Sequence, residues 1–289
     1  MDSTLPKRVS VPLVFERQAY CDKHGAFTQK YVSFFSGGES QGTMCPSCKD
    51  EDDEGANKAG YSAAQRNIDP QEKANKMRSS FEAKMRNADV PERYRLKGFE
   101  DYLPVNDDAK KKKEICEQYA DGYLSALKTG RGMILCGSAG SGKTHLAIGI
   151  IRRIIERSIE DESNGKRYDS HYCKYVKTAE MLRKVKDTYR NDSKSSEDSV
   201  ISSFVRPDFL IVDELGVQFG SDTEKNILFD IINGRYESMK PTILISNLGM
   251  EGLSEYAGER VIDRMKENGG KLLIFNWESY RGKTSVLNG

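Results

Sequence analysis

The sequence has few features that would direct it to a membrane or out of the cell. No apolar run approaches the roughly 20 residues that a membrane-spanning helix needs, and the first eight residues lack the apolar segment of a signal peptide. Neither sign of charge dominates, because 45 Lys and Arg residues against 44 Asp and Glu residues give a net charge of +1. No global basic field therefore indicates nucleic-acid binding, and any DNA contact must come from a local patch.

Cysteines are also few, six in 289 residues. Without a signal peptide they favour a cytoplasmic protein whose thiols stay reduced, some of them bound to metal. The length allows one large α/β domain and a smaller module.

A complete phosphate-binding motif, G-x-x-x-x-G-K-T, occupies residues 137–144. The apolar run 133–136 predicts a strand before it and the periodic stretch 145–151 predicts a helix after it, which is the context that the motif requires and that a chance match lacks. Lys143 is predicted to reach the β- and γ-phosphates, and Thr144 to bind Mg²⁺. The residues predicted to hold the nucleotide in this loop are Gly137, Ser138, Gly140, Ser141, Gly142, Lys143 and Thr144.

Two acids form the second strong signal. Phe209 to Val212 predict a buried parallel strand, and Asp213 and Glu214 stand at its carboxyl end, where α/β sheets bind ligands. Asp213 is predicted to hold the Mg²⁺ shell, and Glu214 to act as the base that polarises the attacking water. Another apolar strand, 241–246, ends at Asn247, a candidate for contacting the γ-phosphate or the water.

The first 60 residues contain two pairs of potential metal ligands. Cys21 and His24 form one pair and Cys45 and Cys48 the other, with a predicted strand and glycine turn between them. Three thiolates and one imidazole at this spacing indicate a tetrahedral Zn²⁺ site in a zinc-ribbon-like module. The alternative is two unrelated pairs with a surface histidine.

Residues 61–89 are rich in Gln, Arg, Lys, Glu and Asn and predict a polar helical linker, with a partly disordered tether as the alternative. The predicted organisation is a zinc-binding module at 1–60, this linker, and a second domain at 90–289.

Two lysine-rich stretches leave alternatives open. The run 110–113 is either a DNA patch or a solvated helix start, and the basic helix 178–190 is either a surface crossover or a contact for single-stranded DNA.

The second domain resembles the AAA+ ATPases, and within them the DnaC/DnaI-type loaders of the bacterial replicative helicase. The stretches that resemble these loaders are residues 187–191, 212–218, 258–265 and 273–282. The resemblance implies an AAA+ P-loop core, with a parallel sheet flanked by helices and no C-terminal helical lid.

Further residue roles are implied by the resemblance alone. Arg264 matches the arginine finger that reaches the ATP of a neighbouring subunit, and Arg260 matches its companion. Arg281 stands at the position of a late nucleotide-sensing arginine, and Asn247 at that of a sensor residue. The helix 178–190 corresponds to the insert that grips single-stranded DNA, which favours Lys186 and Tyr189 as DNA contacts.

The resemblance implies an ATP-dependent loader that self-associates through its AAA+ domain, binds single-stranded DNA and delivers the hexameric replicative helicase to DNA during replication initiation. ATP, Mg²⁺ and Zn²⁺ are the expected cofactors. A zinc-binding N-terminus resembles the DnaI form, whereas the ATPase is DnaC-like, which favours a phage or prophage version whose first 60 residues bind the helicase. The alternatives are an IstB-like transposition helper ATPase and a zinc-ribbon adaptor with a passive nucleotide-sensing domain.

Overall fold

A computed structural model of the chain describes residues 11–50, 69–164, 171–217 and 220–280. Its strands are β1 (Val14–Cys21), β2 (Gly25–Val32), β3 (Met133–Gly137), β4 (Cys173–Lys177), β5 (Phe209–Leu215), β6 (Thr242–Ser246) and β7 (Lys271–Phe275). Its helices are α1 (Pro70–Asn87), α2 (Glu92–Arg95), α3 (Asp107–Asp121), α4 (Tyr123–Thr129), α5 (Lys143–Ser163), α6 (Thr178–Lys186), α7 (Glu197–Val205), α8 (Asp222–Glu237), α9 (Met250–Ala257) and α10 (Glu259–Lys266). Residues 46–50 are also helical.

The chain divides into two compact units. The smaller comprises residues 1–84 and 156–169, and the larger comprises residues 85–155 and 170–289. The boundaries that the sequence favours, after residues 60 and 89, stay predictions. Helix α1 occupies most of the segment predicted as a linker.

An antiparallel hairpin and helix α1 organise the smaller unit. Strands β1 and β2 pair from Val14↔Val32 to Cys21↔Gly25, so that the hairpin turn carries His24. The guanidinium of Arg17 lies about 5 Å from the ring centroids of both Phe15 and Tyr31, which stack on each other across the two strands.

Helix α1 has a buried apolar stripe despite its polar composition. Ala74, Met77 and Phe81 recur at helical spacing and are buried, and the ring of Phe81 lies 5.2 Å from that of Phe35. Such a stripe provides the packing that stabilises an otherwise polar helix.

The larger unit is built on a five-stranded parallel sheet with the order β4-β5-β6-β3-β7. The three central strands are almost completely buried, as continuous apolar runs in a parallel sheet predict. The carboxyl ends of β3, β5 and β6 meet at one edge, and this brings the phosphate loop, the two acids and Asn247 together. The predicted parallel sheet flanked by helices is confirmed.

One predicted helix ends earlier than the sequence pattern indicates. The helix expected at 178–190 is α-helical only to Lys186 and continues as a 3-10 turn over Asp187–Tyr189. The lysine run 110–113 lies in the first half of α3, which begins at Asp107. Within the described ranges, no helix is both long and apolar enough to cross a membrane.

Candidate functional site

The phosphate loop connects the end of β3 to the start of α5. Gly142 has φ +94°, and a Cβ atom there would lie 2.4 Å from the ring of Tyr102, so both the backbone conformation and the close aromatic neighbour require glycine. The loop leads directly into the N-terminus of a 21-residue helix. The backbone N–H groups at that end of the helix favour binding of an anion.

Lys143 is folded back onto the loop. Its ammonium group donates hydrogen bonds to the carbonyl oxygens of Gly137 at 2.8 Å and Ser138 at 2.7 Å, and the side chain is only 4% exposed. The cation is thereby held beside the loop where phosphates would bind.

Asp213 and Thr144 are in direct contact. The Thr144 hydroxyl donates to Oδ2 of Asp213 at 2.8 Å, and the backbone N–H of Glu214 donates to Oδ1 at 2.7 Å. Burial raises the pKa of Asp213, and these hydrogen bonds act against that shift. The two predicted Mg²⁺ groups therefore lie together and include a carboxylate, the type of protein ligand that usually holds a hydrated Mg²⁺ ion.

Strand β4 and the first residue of α6 supply further groups that the sequence analysis missed. The Tyr175 hydroxyl donates to Oδ2 of Asp213 at 2.9 Å, the Thr178 hydroxyl donates to the Asp213 carbonyl at 2.8 Å, and Lys177 Nζ donates to Oε1 of Glu214 at 2.9 Å. No local motif indicates these contacts, because they depend on the pairing of β4 with β5.

Glu214 and Asn247 line the same cavity as the phosphate loop and Asp213. Glu214 has φ +62°, a left-handed conformation that is uncommon for a residue other than glycine. Uncommon backbone conformations of this kind cluster at functional sites.

Aromatic side chains form part of the cavity wall. The lining includes Tyr94, Tyr102, His145, Trp277 and Tyr280. The backbone N–H of Tyr280 donates to the carbonyl of Gly140 at 3.0 Å. The stretch that resembles the helicase loaders at 273–282 therefore contacts the phosphate loop. Burial lowers the pKa of His145, whose ring is perpendicular to that of Tyr102. Aromatic rings of this kind offer flat faces on which another ring can stack.

Arg264 and Arg260 are not among the described residues that line this cavity. Arg264 lies 3.3 Å from Oε1 of Glu267 and 4.3 Å from the ring centroid of Tyr236. Arg260 lies 6.0 Å from the ring centroid of Phe229. Arg281 falls outside the described residues.

The predicted DNA contacts, Lys186 and Tyr189, each meet a carboxylate. Lys186 Nζ lies 2.6 Å from Oε1 of Glu224, and the Tyr189 hydroxyl donates to Oε1 of Glu197 at 2.6 Å. Both side chains remain substantially exposed, so their polar groups are accessible to a phosphate that replaces the carboxylate.

The four predicted zinc ligands lie within 4.8 Å of one another. The Sγ atoms of Cys21 and Cys48 are 3.6 Å apart, and His24 Nδ1 is 3.3 Å from the Cys48 sulfur and 3.7 Å from those of Cys21 and Cys45. These separations fit the edges of a tetrahedron around Zn²⁺, which are roughly 3.4–3.8 Å for bonds of about 2.0–2.3 Å. The donor set fits this metal.

Comparison with known families identifies the domain. The family described as IstB-like ATP binding protein matches residues 49–287. The replicative helicase loader DnaC of Escherichia coli K12 is 33% identical over 175 residues, 61% of this chain and 63% of the relative. The DnaC loader of Buchnera aphidicola subsp. Baizongia pistaciae is 32% identical over 194 residues, 67% of this chain and 73% of the relative. The match therefore spans less than two thirds of the Escherichia coli protein.

Solved structures share the fold. The crystal structure of the DnaC helicase loader superposes with a TM-score of 0.52 at 22% identity, over 64% of this chain and all of that chain. The crystal structure of DnaI gives 0.50 at 18% identity, over 66% of this chain and 94% of that chain. The larger unit thus has the predicted AAA+ P-loop fold.

Proposed function

We propose that this chain, which belongs to the IstB-like ATP binding protein family, is an ATP-dependent loader of a replicative DNA helicase. It binds the helicase and single-stranded DNA and delivers the helicase to DNA during replication initiation. The observation that carries this proposal is the similarity to curated DnaC loaders at 32–33% identity across the ATPase core.

ATP hydrolysis by the larger unit is supported by the contact between Thr144 and Asp213. Mg²⁺ bound to ATP would be held by these two groups, with Lys143 on the β- and γ-phosphates. Glu214 would accept the proton of the attacking water, and Asn247 would orient the water or the γ-phosphate. Arg281 would sense the bound nucleotide.

Hydrolysis in trans is supported by the position of Arg264 outside the cavity of its own subunit. A guanidinium supplied by a neighbouring copy stabilises charge on the transferring phosphoryl group, and Arg260 would assist from the same helix. ATP would then promote self-association, and hydrolysis would release the helicase.

Single-stranded DNA would contact Lys186 and Tyr189, which combine a cation with an exposed aromatic ring. Zn²⁺ would be held by Cys21, His24, Cys45 and Cys48, and would stabilise a module that has little apolar core of its own. We assign helicase binding to this module, residues 1–60.

Purification of the tagged chain from its host in the presence of ATP tests the loader proposal. We expect the replicative helicase to co-purify with the wild-type chain and to be lost with Cys45→Ser, which removes one zinc ligand. Recovery of a transposase in place of the helicase would favour the IstB-like transposition role instead.

Glu214→Gln distinguishes an ATPase from a passive nucleotide sensor. We expect the variant to bind ATP normally and to hydrolyse it at least about 100-fold more slowly, because it removes the general base. Glu255→Gln, an exposed substitution on α9, is the matched control. A wild-type assembly without turnover, or a Glu214→Gln variant with full turnover, contradicts this assignment.

A further inference from the structure

A buried phenol lies beside the predicted Mg²⁺ groups and belongs to no motif. Tyr175 is 5% exposed, and its hydroxyl donates to Oδ2 of Asp213 at 2.9 Å. The same oxygen accepts the Thr144 hydroxyl at 2.8 Å. One carboxylate oxygen has lone pairs for two donors, so both hydrogen bonds form together.

The pairing of the strands explains why this tyrosine reaches Asp213. Strands β4 and β5 are parallel neighbours, with Tyr175 paired to Ile211 and Lys177 paired to Asp213. Ile211 and Asp213 are two residues apart and share a face of the sheet. The long side chain of Tyr175 therefore extends along this face to the next position, where a shorter side chain would not reach.

Thr144 and Tyr175 have different roles once Mg²⁺·ATP is bound. The Thr144 hydroxyl would bind the metal through its oxygen, and its proton would stay directed at Asp213. Tyr175 is the other described side chain that donates to the Asp213 carboxylate, and it restrains the carboxylate from the side of β4. A carboxylate next to a metal depends on such a partner for its orientation.

We propose that Tyr175 is a positioning residue that holds Oδ2 of Asp213 in place for the Mg²⁺ shell. The proposal rests on the proposed function, since it requires Asp213 to face Mg²⁺. It adds a group from the neighbouring strand to the metal site, and it predicts that the phenol acts on Mg²⁺ rather than on the nucleotide itself.

The protonation of the pair fits this role. Burial, and then the Asp213 carboxylate, raise the pKa of Tyr175 well above its usual value, so the phenol stays a donor at neutral pH. Its hydrogen bond lowers the pKa of Asp213, which burial raises. The phenol therefore helps to keep a buried carboxylate ionised.

Tyr175→Phe tests the proposal, because it removes the hydroxyl and keeps the ring. We expect the Mg²⁺ concentration for half-maximal ATP hydrolysis to rise about tenfold or more. The affinity for a fluorescent ATP analogue without Mg²⁺ should stay unchanged. Tyr119→Phe is the matched control, because Tyr119 is 3% exposed and its hydroxyl donates to the carbonyl of Arg131.

A double-mutant cycle shows whether the phenol acts through Asp213. On an Asp213→Asn background, Tyr175→Phe should no longer change the Mg²⁺ midpoint of nucleotide binding. The positioning role is overturned if Tyr175→Phe still changes the Mg²⁺ midpoint on the Asp213→Asn background. It is also overturned if Tyr175→Phe alone leaves the Mg²⁺ midpoint unchanged. A further contrary result is that Tyr175→Phe loses both Mg²⁺-free nucleotide binding and thermal stability to a greater extent than Tyr119→Phe does.

The wild-type titration separates the two levels of inference. A wild-type chain without Mg²⁺-dependent ATP turnover overturns the proposed ATP hydrolysis and, with it, the positioning role. A Mg²⁺-dependent wild-type chain with an unaffected Tyr175→Phe variant overturns the positioning role alone.

Discussion

Arg235 is fully buried and places its guanidinium among backbone carbonyl groups. Its five hydrogen bonds go to the Thr242 hydroxyl and to the carbonyls of Phe204, Val205, Pro207 and Pro241. Burial lowers the pKa of Arg235 to about 9, so the group remains cationic at neutral pH. A cation at this position stabilises the C-terminal carbonyls of α7 and joins them to the start of β6.

Arg235→Met is expected to lower the free energy of unfolding by about 3 kcal/mol or more, because it leaves buried carbonyl groups without a donor. Chemical denaturation measures this loss. Arg206→Met, which changes an exposed arginine nearby, should have little effect. A loss below about 1 kcal/mol for Arg235→Met would mean that water satisfies these carbonyls equally well.

Single site residues can be predicted from the sequence where a motif is flanked by patterns that predict the strand or helix carrying it. Thr144 and Asp213 are 69 positions apart, yet strand–loop–helix and strand–acid patterns place both at one sheet edge. Tyr175, Lys177 and Arg235 give no such signal. Their partners are set by strand register and by distant loops, which no local pattern of residue types specifies.

At the scale of elements, β4 and α6 connect the two acids to the candidate DNA contacts. Lys177, at the end of β4, binds the Glu214 carboxylate, and Thr178, the first residue of α6, binds the Asp213 carbonyl. The same helix ends at Lys186. A displacement of α6 would therefore act directly on the groups that hold Asp213 and Glu214.

Lys177→Met is expected to raise ATP turnover severalfold at saturating Mg²⁺·ATP, with unchanged nucleotide affinity. The reason is that the Lys177 ammonium group, 2.9 Å from Oε1 of Glu214, occupies a carboxylate oxygen that would otherwise be available to accept a proton from water. Lys184→Met is the matched control, because Lys184 is equally exposed and pairs with Glu180 on the outside of α6. A fall in turnover specific to Lys177→Met would show that the lysine itself assists hydrolysis.

The hairpin in the smaller unit shows why some elements are hard to predict. The sequence predicts one strand between the two ligand pairs, whereas the structure has two strands, Val14–Cys21 and Gly25–Val32, and the first of them precedes His24. A charged residue, Arg17, occupies the same face as Phe15, so the apolar alternation that marks a strand is weak.

At the scale of the whole molecule, the arginine finger requires a second copy. Arg264→Ala is expected to keep ATP binding and to lower hydrolysis in assemblies by about 1,000-fold or more. Mixing this variant with Glu214→Gln should restore turnover, because each variant supplies the group that the other lacks. If mixtures stay inactive while both variants still assemble, Arg264 is not the finger.

The zinc cluster leads to a prediction about the division of the chain. Cys45→Ser is expected to lose bound zinc and to make residues 11–50 sensitive to protease, while nucleotide affinity stays unchanged. Metal analysis and limited proteolysis measure both effects, with Cys116→Ala, a buried cysteine outside the cluster, as the control. An unchanged protease pattern in the metal-free variant would contradict a folding role for zinc.

The pairing of Lys186 with Glu224 affects how DNA binding should respond to ionic strength. A solvated lysine that binds a phosphate releases condensed counterions, and each such contact steepens the fall of affinity with salt. When a DNA phosphate replaces the Glu224 carboxylate as the partner of Lys186, the lysine changes one anionic partner for another. The Glu224 carboxylate, now without this partner, attracts cations from the solution. The salt dependence of single-stranded DNA binding would then be shallower than the number of lysine contacts indicates, and Glu224→Gln would steepen it.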